Sequence, residues 1–165
     1  MNINIKKASK IIEKYKGKKS TLLAVLQDIQ ETYNWLPPES LKLVSKELCV
    51  PLIDIYSVAT FYRAFSLAPR GKHLVTVCLG TACHVRGAPL VIDRVQKQLG
   101  ISPGCTTKDK QFTLETVNCL GACALAPIVV VDGKYHGQTT TQKVDSILAK
   151  YKKKRKPSKK SKKKK

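Results

Sequence analysis

The first third of the chain places apolar residues with the spacing of amphipathic helices. They are sparse in the opening segment, which is predicted to form one weakly amphipathic helix ended by Gly17, and denser from Leu22 to Ile29 and from Leu41 to Leu48. Ser20 suits the N-cap of the second helix, and Pro38 can open the third because proline is tolerated in a first helical turn. The pattern therefore predicts three helices in this segment.

A fourth helix is predicted over residues 52–65, "LIDIYSVATFYRAF", where Ile55, Val58 and Ala59 begin an i, i+3, i+4 series that Tyr62 completes. Together these elements predict a helical N-terminal domain, a small bundle that covers residues 1–68. No apolar run in the chain approaches the roughly 18–20 residues that a membrane-spanning helix requires. We therefore interpret the bundle as a packed helical module and not as a membrane device.

After the linker "LAPRGKH" the pattern changes from helical spacing to short apolar runs and alternation. The predicted elements, in chain order, are a strand at Leu74–Cys78, a helix at Pro89–Leu99 ended by Gly100, a strand at Phe112–Cys119, a hairpin that turns at Asp132 and Gly133, and a helix at Thr140–Lys150. These elements predict a small mixed sheet with flanking helices. The fold class is therefore α+β, and the second domain covers residues 69–151.

Positive charge is concentrated at the two ends of the chain. Of the formal net charge of +20, eleven positive charges lie in residues 152–165, where there is no acid. Like charges repel and nothing apolar is available for burial, so this segment is predicted to be a disordered basic tail. Because aromatic residues are not interleaved with the charge, the composition argues against a specific nucleic-acid-binding surface. The opening residues contain no apolar signal core, so we expect a cytoplasmic protein.

Four of the six cysteines occur as two pairs in short loops that contain glycine. Cys78 and Cys83 are spaced C-x4-C, and each pair begins where a predicted strand ends. Cys119 and Cys123 follow the second of these strands and are spaced C-x3-C. If the two strands are neighbours in one sheet, their ends bring both loops to the same edge. The sequence then predicts that the four thiols converge.

This cysteine pattern allows four interpretations. Cysteine is often simply a buried residue, and this interpretation suits the two isolated cysteines, Cys49 and Cys105. It does not suit four cysteines in loops, because loops are exposed. Disulfides are rare in the cytoplasm, and structural zinc sites usually have a tighter spacing close to C-x2-C. A [2Fe–2S] cluster takes four thiolates, two on each iron, and longer spacers suit it because they reach around the inorganic sulfides. The residues favour the cluster, while zinc and disulfides remain alternatives.

Small residues between the cysteines fit the same interpretation. Bridging sulfides carry negative charge, and backbone N–H groups around Gly80 and Gly121 can point at them because glycine permits close backbone approach. His84 and Arg86 follow shortly after Cys83. One hypothesis is that a cation here raises the reduction potential or docks a partner; the alternative is that both are solvated loop residues.

Four stretches together carry a family resemblance: "TFYRAF", "VCLGTACHVRGA", "NCLGACALAP" and "VVVDGKYHG". Over about residues 5–150 the chain resembles the small subunit of the NADH-oxidising module of respiratory complex I. Relatives of that subunit occur in soluble NAD(P)-linked hydrogenases, formate dehydrogenases and electron-bifurcating complexes. The resemblance implies a helical domain followed by a thioredoxin-like ferredoxin domain, with a proline, often cis, where Pro127 stands. It also implies one [2Fe–2S] cluster, with the ligands Cys78, Cys83, Cys119 and Cys123.

The chain departs from the family pattern in three places. Ala82 stands where respiratory subunits often have proline, and the "HVRG" that closes this stretch is closer to the hydrogenase and formate dehydrogenase relatives. The lysine-rich tail lies outside the pattern, and the C-x-x-C redox pair of thioredoxin itself is absent. The first two departures leave the parent complex and its final electron acceptor open, and the missing C-x-x-C pair argues against dithiol–disulfide chemistry.

The resemblance also implies a partner protein. NADH releases two electrons as hydride, whereas an iron–sulfur cluster accepts one at a time, so a flavin must stand between them. This chain has neither a G-x-G-x-x-G motif nor a P-loop. We therefore expect an electron-transfer subunit beside a larger flavin- and NAD(P)H-binding iron–sulfur subunit, which holds FMN and performs the hydride chemistry. The alternative is a free-standing thioredoxin-like [2Fe–2S] ferredoxin, although such a carrier does not need the helical domain.

Overall fold

The computed structural model of this chain describes residues 5–15 and 21–152. Gly17, Ser20 and nearly all of the predicted tail lie outside the described residues, so the disorder predicted for the tail stays a prediction. The first helix already ends at Glu13, and Thr21 is the N-cap residue of the second, so the end predicted at Gly17 and the N-cap predicted at Ser20 were wrong. Among the described residues, none of the helices combines the length and apolar character needed to cross a membrane.

Four helices form the N-terminal part of the structure: α1 (Ile5–Glu13), α2 (Leu22–Tyr33), α3 (Pro38–Leu48) and α4 (Leu52–Phe61). Prolines precede or open two of them, since Pro38 is the first residue of α3 and Pro51 stands just before α4. Asn34 and Cys49 end α2 and α3 in left-handed conformations, with φ of 64° and 52°, which turn the chain back. The predicted succession of helices is confirmed.

The last of these helices is shorter than its apolar spacing predicts. Helix α4 ends at Phe61, before the predicted end at Phe65, because Tyr62 takes an extended conformation with φ −87° and ψ 117°. This departure lets Phe65 turn back into the helical core, where 7% of it is exposed. The Leu36 N–H donates to the Ser66 carbonyl at 2.7 Å and holds the returning chain.

The four helices pack around one apolar cluster. Its most deeply buried members are Ile12, Val25, Leu26, Ile29, Leu36, Leu41, Val44 and Ile55. They come from all four helices and from the segment between α2 and α3, so burial of this shared core holds the helices together.

Replacing Leu26 by alanine is expected to lower the free energy of unfolding by about 2–5 kcal/mol, because the fully buried side chain leaves a cavity. Leu23→Ala, in the same helix and 36% exposed, is the matched control and should cost much less. Denaturant unfolding of the full chain, followed by far-ultraviolet circular dichroism, measures both. Equal losses for the two variants would contradict the position of Leu26 in the core.

Four strands form one mixed sheet: β1 (His73–Cys78), β2 (Phe112–Val117), β3 (Val129–Val131) and β4 (Lys134–His136). Their spatial order is β2-β1-β3-β4, with β1 and β2 parallel and the other two pairings antiparallel. Asp132 and Gly133 make the hairpin turn between β3 and β4, with φ of 50° and 79°, as predicted. The mixed sheet with its helices confirms the α+β fold class.

Three further helices belong to this part: α5 (Thr81–Val85), α6 (Ala88–Leu99) and α7 (Thr141–Tyr151). Helices α6 and α7 bury one face of the sheet, which includes Val75 and Val77 of β1. Side chains alternate along a strand, so Cys78 turns to the opposite face and joins a smaller cluster with Cys83 and Ile128. The sheet therefore has an apolar face under two helices and a second face on which Cys78 of β1 packs with Cys83 of α5.

Polar contacts connect the segment that follows α4 to strand β2. The Arg63 guanidinium donates to the Thr116 carbonyl, and Arg70 pairs with Glu115 at 2.8 Å. The predicted domain boundary after residue 68 falls in the segment between these two arginines. The division of the chain into two domains stays a prediction.

Candidate metal centre

The parallel pairing of β1 and β2 brings the two cysteine pairs to one edge of the sheet. Cys78, the last residue of β1, lies opposite Val117, the last residue of β2. The Leu79 N–H continues the ladder by donating to the Val117 carbonyl at 2.8 Å, and Cys119 follows two residues after this point. The first cysteine loop (residues 78–83) and the second cysteine loop (residues 118–123) therefore leave the sheet side by side, as the sequence predicts.

The backbones of the two cysteine loops touch at Gly80. A Cβ atom added to Gly80 would lie 2.2 Å from the Asn118 carbonyl oxygen and 3.5 Å from the Cys119 Cα atom. The first distance is far below van der Waals contact, and both neighbours are main-chain atoms that cannot rotate away. Glycine at position 80 is therefore what allows the loops to lie against each other.

All four predicted ligand cysteines line one cavity of about 540 Å³. The full lining consists of Cys78, Gly80, Thr81, Ala82, Cys83, Val85, Arg86, Asn118, Cys119 and Cys123. The first cysteine loop continues into α5, which carries Cys83, and Cys123 opens a short 3-10 helix over Cys123–Leu125. Neither of these two short helices was predicted from the sequence.

The four thiols differ in their exposure. Cys78 and Cys83 are buried, with 2% of each exposed, whereas Cys119 and Cys123 are exposed. Burial raises the pKa of the Cys83 thiol, a hydrogen bond with Cys78 raises it further, and a backbone hydrogen bond with Ile128 lowers it. Charge on Cys78 and Cys123 also raises this pKa, so thiols of both loops influence each other.

A backbone N–H group of the second cysteine loop is directed at one of its sulfurs. Gly121 has a φ of 75°, and its N–H donates to the Cys119 sulfur at 3.3 Å. An N–H aimed at a sulfur favours the thiolate form and, at a metal centre, tunes the ligand. The sequence predicted inward N–H groups around this glycine.

Cys49 and Cys105, the two cysteines outside the cavity, correct one prediction. Both were predicted to be ordinary buried cysteines, and both are exposed. Cys49 ends α3 in a left-handed conformation, and Cys105 lies in a turn that begins at Ser102. All six cysteines fall within the described residues, and each is a free thiol.

A single metal ion has no ready-made site among the described side chains. Within residues 5–15 and 21–152, no group of three or more His, Cys, Asp or Glu side chains is placed to hold one metal ion. A two-iron cluster makes a different demand, since each iron takes two cysteine thiolates and the irons share two sulfides.

The sequence that builds this geometry matches a known family over most of its length. Residues 8–152 match the family described as thioredoxin-like [2Fe-2S] ferredoxin. The chain belongs to this family. Membership in the thioredoxin-like [2Fe-2S] ferredoxins supports the cluster expected from the cysteine spacing, whereas the assignment of the cluster to the four cysteines stays a prediction.

The Ala126–Pro127 peptide bond is cis, which confirms the expectation for the proline before β3.

Two curated relatives align with most of the chain. The NADP-reducing hydrogenase protein HndA of Solidesulfovibrio fructosivorans is 41% identical over 140 residues, which are 85% of this chain and 82% of the relative. A subunit of the NADH-quinone oxidoreductase of Rickettsia conorii is 38% identical over 151 residues, 89% of this chain and 90% of the relative. The recognised resemblance to this group of subunits is confirmed.

A solved structure shows the same fold. The crystal structure of an NAD+-reducing [NiFe]-hydrogenase in the air-oxidized state superimposes with a TM-score of 0.69 at 21% sequence identity. The match covers 79% of this ferredoxin-family chain and 22% of the hydrogenase chain. At this identity the likeness supports the fold alone.

The structure also shows which residues near the cysteines line the cavity, including some that the sequence analysis did not single out. Arg86 lines the cavity and His84 does not, although both follow Cys83. Asn118 and Val85 line the cavity and were not singled out; the one signal in the sequence is their position next to a candidate ligand or within its loop. Of the aromatic stretch "TFYRAF", Phe65 is core, while Phe61 is 82% exposed.

Proposed function

We propose that this chain binds one [2Fe–2S] cluster through Cys78, Cys83, Cys119 and Cys123 and transfers single electrons within an NADH dehydrogenase-type oxidoreductase complex. The observation that carries the proposal is the cavity at the edge of the sheet, which thiols from two separate strand ends line together. Four cysteine thiolates are the usual ligand set of this cluster. Family membership over residues 8–152 supports the same cofactor.

The residues around the cavity fit this cofactor. The main chain at Gly80 lies directly against the Asn118 carbonyl, so the two cysteine loops are close enough for their thiols to share one group. The Gly121 N–H already donates to the Cys119 sulfur, which is the kind of bond that stabilises negative charge on a ligand sulfur. When bound, the cluster supplies reversible one-electron transfer at the sheet edge.

Each part of the chain has its own task in this proposal. Cys78 and Cys83 are buried, so they anchor the site and exclude water on the side of the sheet. Cys119 and Cys123 are exposed and lie where an electron donor or acceptor can approach. Electron transfer requires this approach, because the electron passes directly between the cluster and a redox group that lies close to it. The second cysteine loop is therefore the side of the site at which electrons enter or leave.

The proposed partner is a flavin- and NAD(P)H-binding iron–sulfur subunit that holds FMN and carries out hydride transfer. The two curated relatives are named as parts of a hydrogenase and of a quinone oxidoreductase, and they align with 85% and 89% of this chain. These alignments include the helical part as well as the cluster domain. We propose accordingly that residues 1–68 and 69–151 are two domains of one subunit in a cytoplasmic complex.

Purification tests this partner against the free-standing ferredoxin. Isolated anaerobically from its own cells, the chain is expected to co-elute with a flavoprotein that contains FMN and to show visible iron–sulfur absorbance. Washing in about 1 M salt, where the Debye length is about 3 Å, removes partners held only by the lysine-rich ends. Elution of the chain alone with its cluster intact would support the free-standing ferredoxin. Stoichiometric zinc without labile sulfide would contradict both.

A further inference from the structure

The cavity that receives the four cysteine thiols has a single charged side chain in its lining. Among the described residues that form this lining, Arg86 is a cation and none is an acid. The remaining lining residues besides the cysteines are small, apolar or neutral. His84, the other candidate cation near Cys83, is not part of the lining. The surroundings of the cavity therefore carry positive charge at one defined position.

Local structure holds Arg86 at this position. It follows the last residue of α5, the short helix that also carries the buried Cys83. The His84 N–H donates to the Gly80 carbonyl at 2.8 Å, and the Gly87 N–H donates to the His84 carbonyl at 3.0 Å. These two bonds fix the backbone on both sides of Arg86. Its side chain is exposed at the rim, and no hydrogen bond or ion pair with another described residue neutralises it.

We infer that Arg86 raises the reduction potential of the cluster held by the four cysteines; this inference rests on the proposed function. Reduction delivers one electron, from a reduced flavin in the complex or from dithionite in a titration. The charge of the site becomes more negative by one, and no bond forms or breaks. A cation beside the cluster stabilises the reduced, more negative state more than the oxidised state. Arginine suits this task because it remains a cation throughout the physiological pH range.

The sign of the effect follows from this difference. With Arg86 present, the reduced state is stabilised more than the oxidised state, so the cluster accepts electrons at a higher reduction potential. Without the charge, reduction becomes less favourable. Because the side chain is exposed, water and salt weaken the effect, and we expect a change of roughly tenfold in the equilibrium constant for reduction. For a one-electron couple, this factor corresponds to about 59 mV.

A charge series at position 86 tests the inference on the full chain with its cluster. Arg86→Lys keeps the charge, Arg86→Gln removes it and Arg86→Glu reverses it. Anaerobic dithionite titrations, followed by visible absorbance and by the paramagnetic signal of the reduced state, give the potential of each protein. The expected order is wild type close to Arg86→Lys, then Arg86→Gln roughly tenfold harder to reduce, then Arg86→Glu. His84→Gln is the matched control and should leave the potential unchanged.

Each outcome of this series either supports or overturns the inference. Equal potentials across the series would overturn it, even if the variants bound the flavoprotein less tightly, since Arg86 would then act in docking. Loss of the cluster from all three variants, with His84→Gln intact, would also overturn it, because Arg86 would then be needed for assembly. If wild-type protein itself contains no iron and sulfide, the proposed function fails instead, so the two failures are distinguishable.

Discussion

Replacing Cys119 by serine is expected to abolish stable [2Fe–2S] binding, whereas the same substitution at Cys105 leaves it intact. Both thiols are exposed and free, so the two variants differ chiefly in whether the sulfur lines the cavity. Serine is a poor substitute because its hydroxyl does not supply the soft thiolate that iron–sulfur clusters require. Changing a residue that only supports a metal ligand typically lowers metal affinity by about 10–100-fold. Removing a ligand itself should lower the affinity for the cluster by more than this.

Iron and acid-labile sulfide per chain, together with visible absorbance, measure this effect. Wild type and Cys105→Ser should each contain two irons and two sulfides, as the cluster formula requires. Cys119→Ser and Cys123→Ser should contain little of either. Because these two side chains are exposed, their loss removes little packing, and the far-ultraviolet circular dichroism of the variants should stay close to that of the wild type.

Two results would contradict the ligand assignment. One is a full cluster in Cys119→Ser, and the other is an equal loss in Cys105→Ser. Cys78→Ser and Cys83→Ser are weaker tests because both thiols are buried with 2% exposure. A hydroxyl at either position lies in an apolar cluster, so loss of the fold and loss of the ligand would be difficult to separate.

Regular periodicity allowed much of the fold to be predicted. The helical spacing of apolar residues and the prolines before α3 and α4 indicated the N-terminal helices, because both signals act within a few residues of the chain. The end of α4 was wrong for the opposite reason. Phe65 leaves the helical pattern in order to fill a core made by residues distant in sequence, including Leu26 and Leu36. Such a tertiary preference has no local signal.

In the candidate site, too, some features follow from local sequence and others depend on the tertiary structure. The end of each strand and the two cysteine spacings predicted that the loops meet, and the parallel register of Cys78 with Val117 agrees. The exposure of Cys49 and Cys105 could not be predicted from residue type, because burial depends on which turn the rest of the fold assigns to each cysteine. The selection of Arg86 over His84 also needed three-dimensional structure, since it depends on the direction of a short helix that the sequence did not indicate.

Replacing Gly80 by alanine is expected to remove most of the cluster without touching a ligand. The new Cβ atom would lie 2.2 Å from the Asn118 carbonyl oxygen, so one of the two cysteine loops must move away. Cys78 is held in β1 by the sheet, and the Cys78 N–H donates to the Ile128 carbonyl at 3.1 Å, so the second cysteine loop is the one expected to shift. The displaced Cys119 and Cys123 then no longer complete the ligand set.

Gly121→Ala separates this steric effect from the general cost of losing a glycine. A Cβ atom at Gly121 meets nothing within 4 Å, although its φ of 75° imposes backbone strain of about 1–2 kcal/mol. Iron and sulfide content should therefore fall sharply in Gly80→Ala and much less in Gly121→Ala. Overpacking should also cost Gly80→Ala about 1–3 kcal/mol of unfolding free energy. The helical core lies outside both loops, so circular dichroism should show intact helices in each variant. A full cluster in Gly80→Ala would mean that contact between the two loop backbones is not what brings their thiols together.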